Sequence, residues 1–233
     1  MDRSAVNGLL VVAVDGPSGS GKSSTARGVA SRLGFRYLDT GALYRAVTWW
    51  LLDRGVDIHD PAAVAGDLDA LDLELSTDPT DPRVRVDGVD VSEAIRERNV
   101  TNAVSIVSAV PEVRQYLVPV QRTVIDEGGV VVEGRDIGTV VAPEAAVKVF
   151  LTADSEARAR RRSAELEHDA DATVSRTHEE LRRRDHLDSS REVSPLTRAD
   201  DAVELDSTNL SLEQVIDAIV ALVQPKLPAS QGH

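Results

Sequence analysis

The chain has 233 residues, 42% apolar and only 3% aromatic, so it can bury one sizeable core made mostly of Val, Leu, Ile and Ala. It has no cysteine, which excludes disulfides and thiolate metal sites and fits a reducing compartment. A formal net charge of −13 argues against a nucleic acid polymer as partner, since proteins that grip DNA or RNA carry a basic face. An anionic ligand must then be held by locally concentrated arginines and backbone N–H groups.

The first apolar run, Leu9 to Asp15, reads as a strand. Its longest apolar stretch, Leu9 to Val14, is too short to cross a bilayer. No basic segment precedes it and no cleavage-like site follows, so a cytoplasmic protein with no membrane partner is expected. Ser23 to Leu33 reads as a helix, Arg36 to Leu38 as a strand and Ala42 to Leu52 as a helix. Leu73 to Leu75, Val84 to Val86 and Val89 read as short strands, and Asp87-Gly88 is a hairpin signal. They form a small antiparallel insertion. Val130 to Glu133, Val147 to Leu151 and Ala202 to Leu205 complete a set of near-continuous apolar strands, as expected when both faces are covered. The segment Asp154 to Arg191 is charged and helical. Ser211 to Val223 reads as a last helix with a capping box from Ser211 and Gln214, and Pro225 to His233 as frayed coil. This alternation predicts an α/β fold, an open parallel sheet wrapped by helices.

Gly16-Pro17-Ser18-Gly19-Ser20-Gly21-Lys22-Ser23 fits G-x-x-x-x-G-K-[ST], with a strand before it and a helix after it. Glycines let the backbone wrap a phosphate, and the N–H groups with the helix N-terminus form an anion nest. Lys22 is expected on the outer phosphates of ATP, and the Ser23 hydroxyl on Mg²⁺. The chain holds only three lysines, and one stands here. None sits in the N-K-x-D context of a GTPase.

The arginines beyond the loop suggest a second phosphate. In Asp39-Thr40-Gly41-Ala42-Leu43-Tyr44-Arg45 a strand ends in a turn that starts a helix. Arg45 there can clamp an anion or simply face solvent beside a core tyrosine. In Glu133-Gly134-Arg135-Asp136 a buried strand delivers Arg135 and Asp136 at its C-terminal end, where open α/β sheets bind ligands. A structural ion pair is the other reading. A helix from Glu179 puts Arg184, Asp188 and Arg191 on one face, and Arg158, Arg161 and Arg162 share another. Faces of that kind are often merely solvated.

Together, VDGPSGSGKSS, YLDTGALYRA, EGRDIGTVV and LRRRDHLDSSR closely resemble the bacterial cytidylate kinase family, from Val11 to about Val215. The resemblance implies a P-loop NTPase fold with a five-stranded parallel sheet, an antiparallel NMP-binding insertion near residues 61–99 and a mobile helical lid near 156–191. The core would take about 1–60, 100–155 and 192–233. It implies ATP on Gly16, Pro17, Ser18, Gly19, Ser20, Gly21, Lys22, Ser23 and Ser24. It puts Arg45 and Arg135 on the acceptor phosphate, Tyr44 and Arg184 near the acceptor, and Asp188 at the ribose. Ser105, Arg114 and Asp136 would contact cytosine, and Arg191 would reach the phosphates from the lid side. Lys22, Arg184 and Arg191 are the implied catalytic groups. Thr40 stands where serine is common, and Glu133 where many relatives carry aspartate, which leaves the second partner of Mg²⁺ open. A monomer is implied.

The implied cytosine contacts make chemical sense. A carboxylate accepts from the N4 amino group of cytosine, and an arginine donates to N3 and O2. Uracil would face Asp136 with an acceptor, so CMP and dCMP are expected to be favoured over UMP. A UMP/CMP or adenylate kinase of broader range is the alternative, and an ATP-binding switch without acceptor activity a further one.

Overall fold

The computed structural model describes residues 10–66, 68–165 and 173–227. In chain order, β1 (Val11–Asp15) runs into the glycine loop and α1 (Lys22–Leu33). β2 (Arg36–Asp39) leads into α2 (Thr40–Asp53), and a short α3 (Pro61–Ala65) follows. Next come β3 (Leu73–Leu75), β4 (Val84–Val86) and β5 (Val89–Asp90), then α4 (Arg98–Val107) and α5 (Pro111–Asp126). β6 (Val130–Gly134) ends in a wide turn over Ile137–Val141, and β7 (Val147–Thr152) is followed by α6 (Ser155–Glu165) and α7 (Val174–Ser189). β8 (Val203–Asp206) and α8 (Leu212–Val223) close the fold.

The five long strands form one sheet in the order β2-β6-β1-β7-β8, and every adjacent pair is parallel. Val12 lies beside Val131 on one side and Val147 on the other, so β1 is central. Side chains alternate between two apolar clusters, as strand geometry requires. Ala13, Leu38, Val130 and Val132 point into one, with α2, α4, α5 and β4. Val12, Val14, Tyr37, Val131 and Val149 point into the other, with α1 and α8. The expected alternation of strands and helices is therefore present.

Local chemistry sets the boundaries. The Asp39 carboxylate accepts from the Ala42 N–H at 2.8 Å and caps α2. Ser211 and Gln214 form the expected capping box on α8. β3, β4 and β5 form the small antiparallel sheet, and Asp87 and Gly88 both adopt positive φ, 50° and 77°, as a two-residue hairpin turn demands. Trp50 on α2 donates to Asp87 at 3.0 Å and holds the hairpin against the core.

Three boundaries differ from the sequence reading. α7 starts at Val174, capped by Thr173, well before Glu179. It stops at Ser189, so Arg191 lies beyond the helix and not on its face. Pro195 disfavours a helical Ser194, which instead takes φ of 54°. Residues 224–226 form one tight helical turn rather than coil, while 228–233 and 166–172 lie outside the described residues.

Candidate active site

The C-terminal ends of β1, β2 and β6 open into a cleft of about 500 Å³. Gly16 turns the chain away from β1 with φ of 149°, and a Cβ there would sit 2.1 Å from the Leu151 carbonyl oxygen. Only glycine fits. Gly21, at φ of 90°, then starts α1 so that Lys22, Ser23 and Ser24 lie at its positive end. Gly16, Pro17 and Ser20 form the back of the loop, while Ser18, Gly19, Gly21, Lys22, Ser23 and Ser24 line the cleft.

Lys22 is buried and folds back on the loop, its Nζ donating to the Pro17 carbonyl at 2.7 Å and to Ser20 Oγ at 3.5 Å. Burial, then the charge of Arg135, pulls its pKa down to about 7, against the pull of Glu133, Asp185 and Asp15. Glu133 is buried beside it and accepts from the Tyr37 hydroxyl. Burial and the neighbouring Asp39 push the Glu133 carboxyl up, and Ser23 faces it. Thr40 donates to the Glu133 carbonyl at 2.7 Å, a role any hydroxyl could fill. The Ser23 hydroxyl and the Glu133 and Asp39 carboxylates thus offer hard oxygen donors around the loop, which suit Mg²⁺.

Asp188 is the hub of the arginines. It accepts from Arg135 Nε at 2.9 Å, from Ser105 Oγ at 2.8 Å and from Arg191. Burial opposes its charge, but Arg135, Arg191 and Arg184 prevail and hold its pKa at about 2. Arg184 is lowered to about 10 by burial and by Arg135. One carboxylate therefore gathers three guanidinium groups, and the surplus positive charge faces the cleft. Arg45 donates to Asp39 at 3.0 Å on the opposite wall. Burial works against the Asp39 charge, yet Arg45, Arg96 and the Ala42 N–H keep its pKa low.

At the far end Arg114 of α5 and Asp136 form a buried ion pair, with the Arg114 guanidinium 5.4 Å from the Tyr44 ring centre. Burial raises the Asp136 carboxyl, opposed by Arg114 and Arg191. The cleft brings together Tyr44, Arg45, Ser105, Arg114, Arg135, Asp136, Arg184, Asp188 and Arg191. Ser105 lies within it, but its hydroxyl is spent on Asp188 rather than on the Arg114–Asp136 pair.

Several contributors escape the sequence reading. Asp15 ends β1 and accepts from the N–H groups of Ile137 at 2.9 Å and Gly138 at 2.7 Å. Burial raises its pKa to about 6 although those N–H groups oppose it. It fixes the wide turn after Asp136, and a lone carboxylate ending an apolar strand was the available signal. Arg158 of α6 donates to the Ser18 carbonyl at 3.0 Å and pairs with Asp185 of α7, which accepts from the Ser18 N–H at 3.1 Å. A Cβ on Gly19 would lie 3.3 Å from Leu181 of α7. The arginine-rich segment is thus tied at its base to the glycine loop through Ser18.

Residues 12–225 match the cytidylate kinase family. The chain belongs to that family. A cytidylate kinase of Streptomyces avermitilis is 54% identical over 222 residues, covering 94% of this chain and 95% of that protein. One from Streptomyces coelicolor is 55% identical over 219 residues, covering 93% and 94%. Among solved structures, an uncharacterized protein from Eubacterium ventriosum aligns with a TM-score of 0.51 at 11% identity, over 93% of this chain and 99% of that one, a likeness of fold alone. Every residue lining the cleft falls inside the span matched to the cytidylate kinase family.

Proposed function

We propose that this protein transfers the γ-phosphoryl group of ATP to CMP or dCMP, giving ADP and CDP or dCDP. Family membership and the two close relatives named cytidylate kinase support the reaction. The observation that carries the choice of base is the buried Arg114–Asp136 pair, in the same cleft as the glycine loop. Asp136 accepts from cytosine N4, Arg114 donates to N3 or O2, and Ser105, whose proton goes to Asp188, keeps oxygen lone pairs that can accept from the base. Tyr44 carries the Arg114 guanidinium on its ring.

The acceptor oxygen belongs to a phosphate whose second pKa is about 6, so it is ionised at neutral pH and needs no strong base. The obstacle is the repulsion of two polyanions. Lys22 leaves the Pro17 carbonyl to meet the ATP phosphates, which the loop from Gly16 to Ser24 surrounds. Arg45 and Arg135 hold the acceptor phosphate, and Arg184 and Arg191 neutralise charge on the group in transit. Asp188 keeps those arginines in place and borders the ribose. Ser23, with Glu133 or Asp39, would hold Mg²⁺, which supplies further charge neutralisation when bound. The described part of the 156–191 segment closes over the nucleotides and excludes water.

The protein acts in the cytoplasm as a monomer, with no nucleic acid polymer or membrane as partner. Among the described residues no helix is long and apolar enough to cross a membrane. The deciding experiment is an acceptor panel: ADP release from ATP with CMP, dCMP, UMP and AMP. Much higher kcat/KM for CMP and dCMP is expected. An equal or higher value for UMP or AMP refutes the base assignment, and no acceptor-dependent release refutes the kinase.

A further inference from the structure

Gln121 of α5 is 0% exposed, yet neither atom of its amide has a hydrogen-bond partner among the described residues. A buried, unpaired amide lowers stability, and an apolar residue of the same size would not. Something other than packing accounts for a glutamine there. It lies two helical turns after Arg114, on the buried face that also carries Val113, Leu117 and Ile125. Its amide faces the Tyr44 hydroxyl, eases the burial of that phenol, and stops short of hydrogen-bond geometry. The Tyr44 hydroxyl and Arg114 Nε are likewise buried and unpaired among the described residues. Tyr44 in turn faces Arg114, Asp136 and Arg191.

We propose that Gln121 is a positioning residue for base selection, acting through the Tyr44 hydroxyl on the Arg114–Asp136 pair. The Gln121 amide can both donate to and accept from a phenol, so it can lock the ring on which the Arg114 guanidinium rests. In the free protein Arg114 and Asp136 are paired with each other. A base entering between them requires Arg114 to shift. A small advance of Tyr44 toward Gln121 closes the missing hydrogen bond and defines the new position of the guanidinium. Selectivity for cytosine then depends on a side chain that never touches the base. This proposal rests on the assignment of Arg114 and Asp136 to cytosine.

The test is a double-mutant cycle with Gln121→Leu, Tyr44→Phe and the pair together. The readout is the CMP-to-UMP ratio of kcat/KM, with the KM for ATP measured alongside. Each single variant is expected to lower the ratio at least fivefold, the double variant no further than the worse single one, and the KM for ATP to stay within twofold. Gln121→Leu is expected to melt no lower than the parent, since an unpaired amide is replaced by an apolar side chain, and Gln121→Met serves if it does not fold. A ratio that falls less than fivefold in the folded Gln121 variant overturns the proposal. Effects that multiply in the double variant overturn it too, as does an equal rise in the KM for ATP. The parent protein's own CMP-to-UMP preference, read in the same assay, tests the cytosine assignment separately.

Discussion

Lys22 shows how one side chain couples binding to acidity. Burial and Arg135 hold its pKa at about 7 in the free protein. ATP phosphates favour the charged form and raise that pKa on binding. Above pH 7 the complex then carries a proton that the free protein lacks, so binding takes up a proton and affinity falls as pH rises. Titration calorimetry at pH 8 in two buffers of different ionisation heat should therefore give two different apparent enthalpies. Equal enthalpies would mean that Lys22 does not change its protonation when ATP binds. Lys22→Ala should lower kcat by roughly a hundredfold or more, as loss of a preorganised donor does. Arg191→Ala should cost roughly a thousandfold, in the range for an arginine acting on phosphoryl transfer. Both variants should keep the parent's circular dichroism spectrum. Near-normal turnover in both removes them from the chemistry.

At the scale of elements, α6 and α7 meet the glycine loop through one clasp. Arg158 and Asp185 hold the carbonyl and N–H of Ser18 from two helices at once. Asp185 also favours the charged form of Lys22. Asp185→Ala should therefore weaken ATP on two counts: a less fixed loop and a less charged lysine. A KM for ATP raised about tenfold, with the KM for CMP within twofold, is the expected outcome, an effect near 1.4 kcal/mol. An unchanged KM for ATP would show that the clasp plays no part in binding. Elements of this kind differ in how far the sequence reveals them. The glycine loop was legible because its spacing is a backbone requirement, and the hairpin because Asp87-Gly88 permits little else. α4 was not, since Val100, Thr101, Val104, Ile106 and Val107 favour strands as much as helices until packing decides. α5 carries Pro119 inside it, which argues against a helix in local terms. Nor could the hold of Asp15 on Ile137 or of Asp185 on Ser18 be read, because each spans more than a hundred residues of chain. Arg114 and Asp136 came from a motif resemblance, and their direct pairing from the fold.

Across the whole molecule, the sheet separates two apolar clusters with different duties. One packs α2, α4 and α5, the helices that carry Arg45, Ser105 and Arg114. The other packs α1 and α8 against the opposite face. Leu117, one turn after Arg114, and Ile219 of α8 are both fully buried. Truncating either to alanine should cost about 2–5 kcal/mol, because each leaves a cavity in a close-packed interior. The two losses should differ in what else they change. The cavity at Leu117 lets α5 shift, and with it the guanidinium of the base-reading pair, so Leu117→Ala should raise the KM for CMP several-fold. Ile219→Ala lies across the sheet from that helix and should leave the KM for CMP within twofold at a temperature where both variants stay folded. Urea unfolding gives the stability of each, and steady-state kinetics the KM. If Ile219→Ala raises the KM for CMP as much as Leu117→Ala, the sheet transmits strain between its faces and the division of labour drawn from the two clusters is wrong.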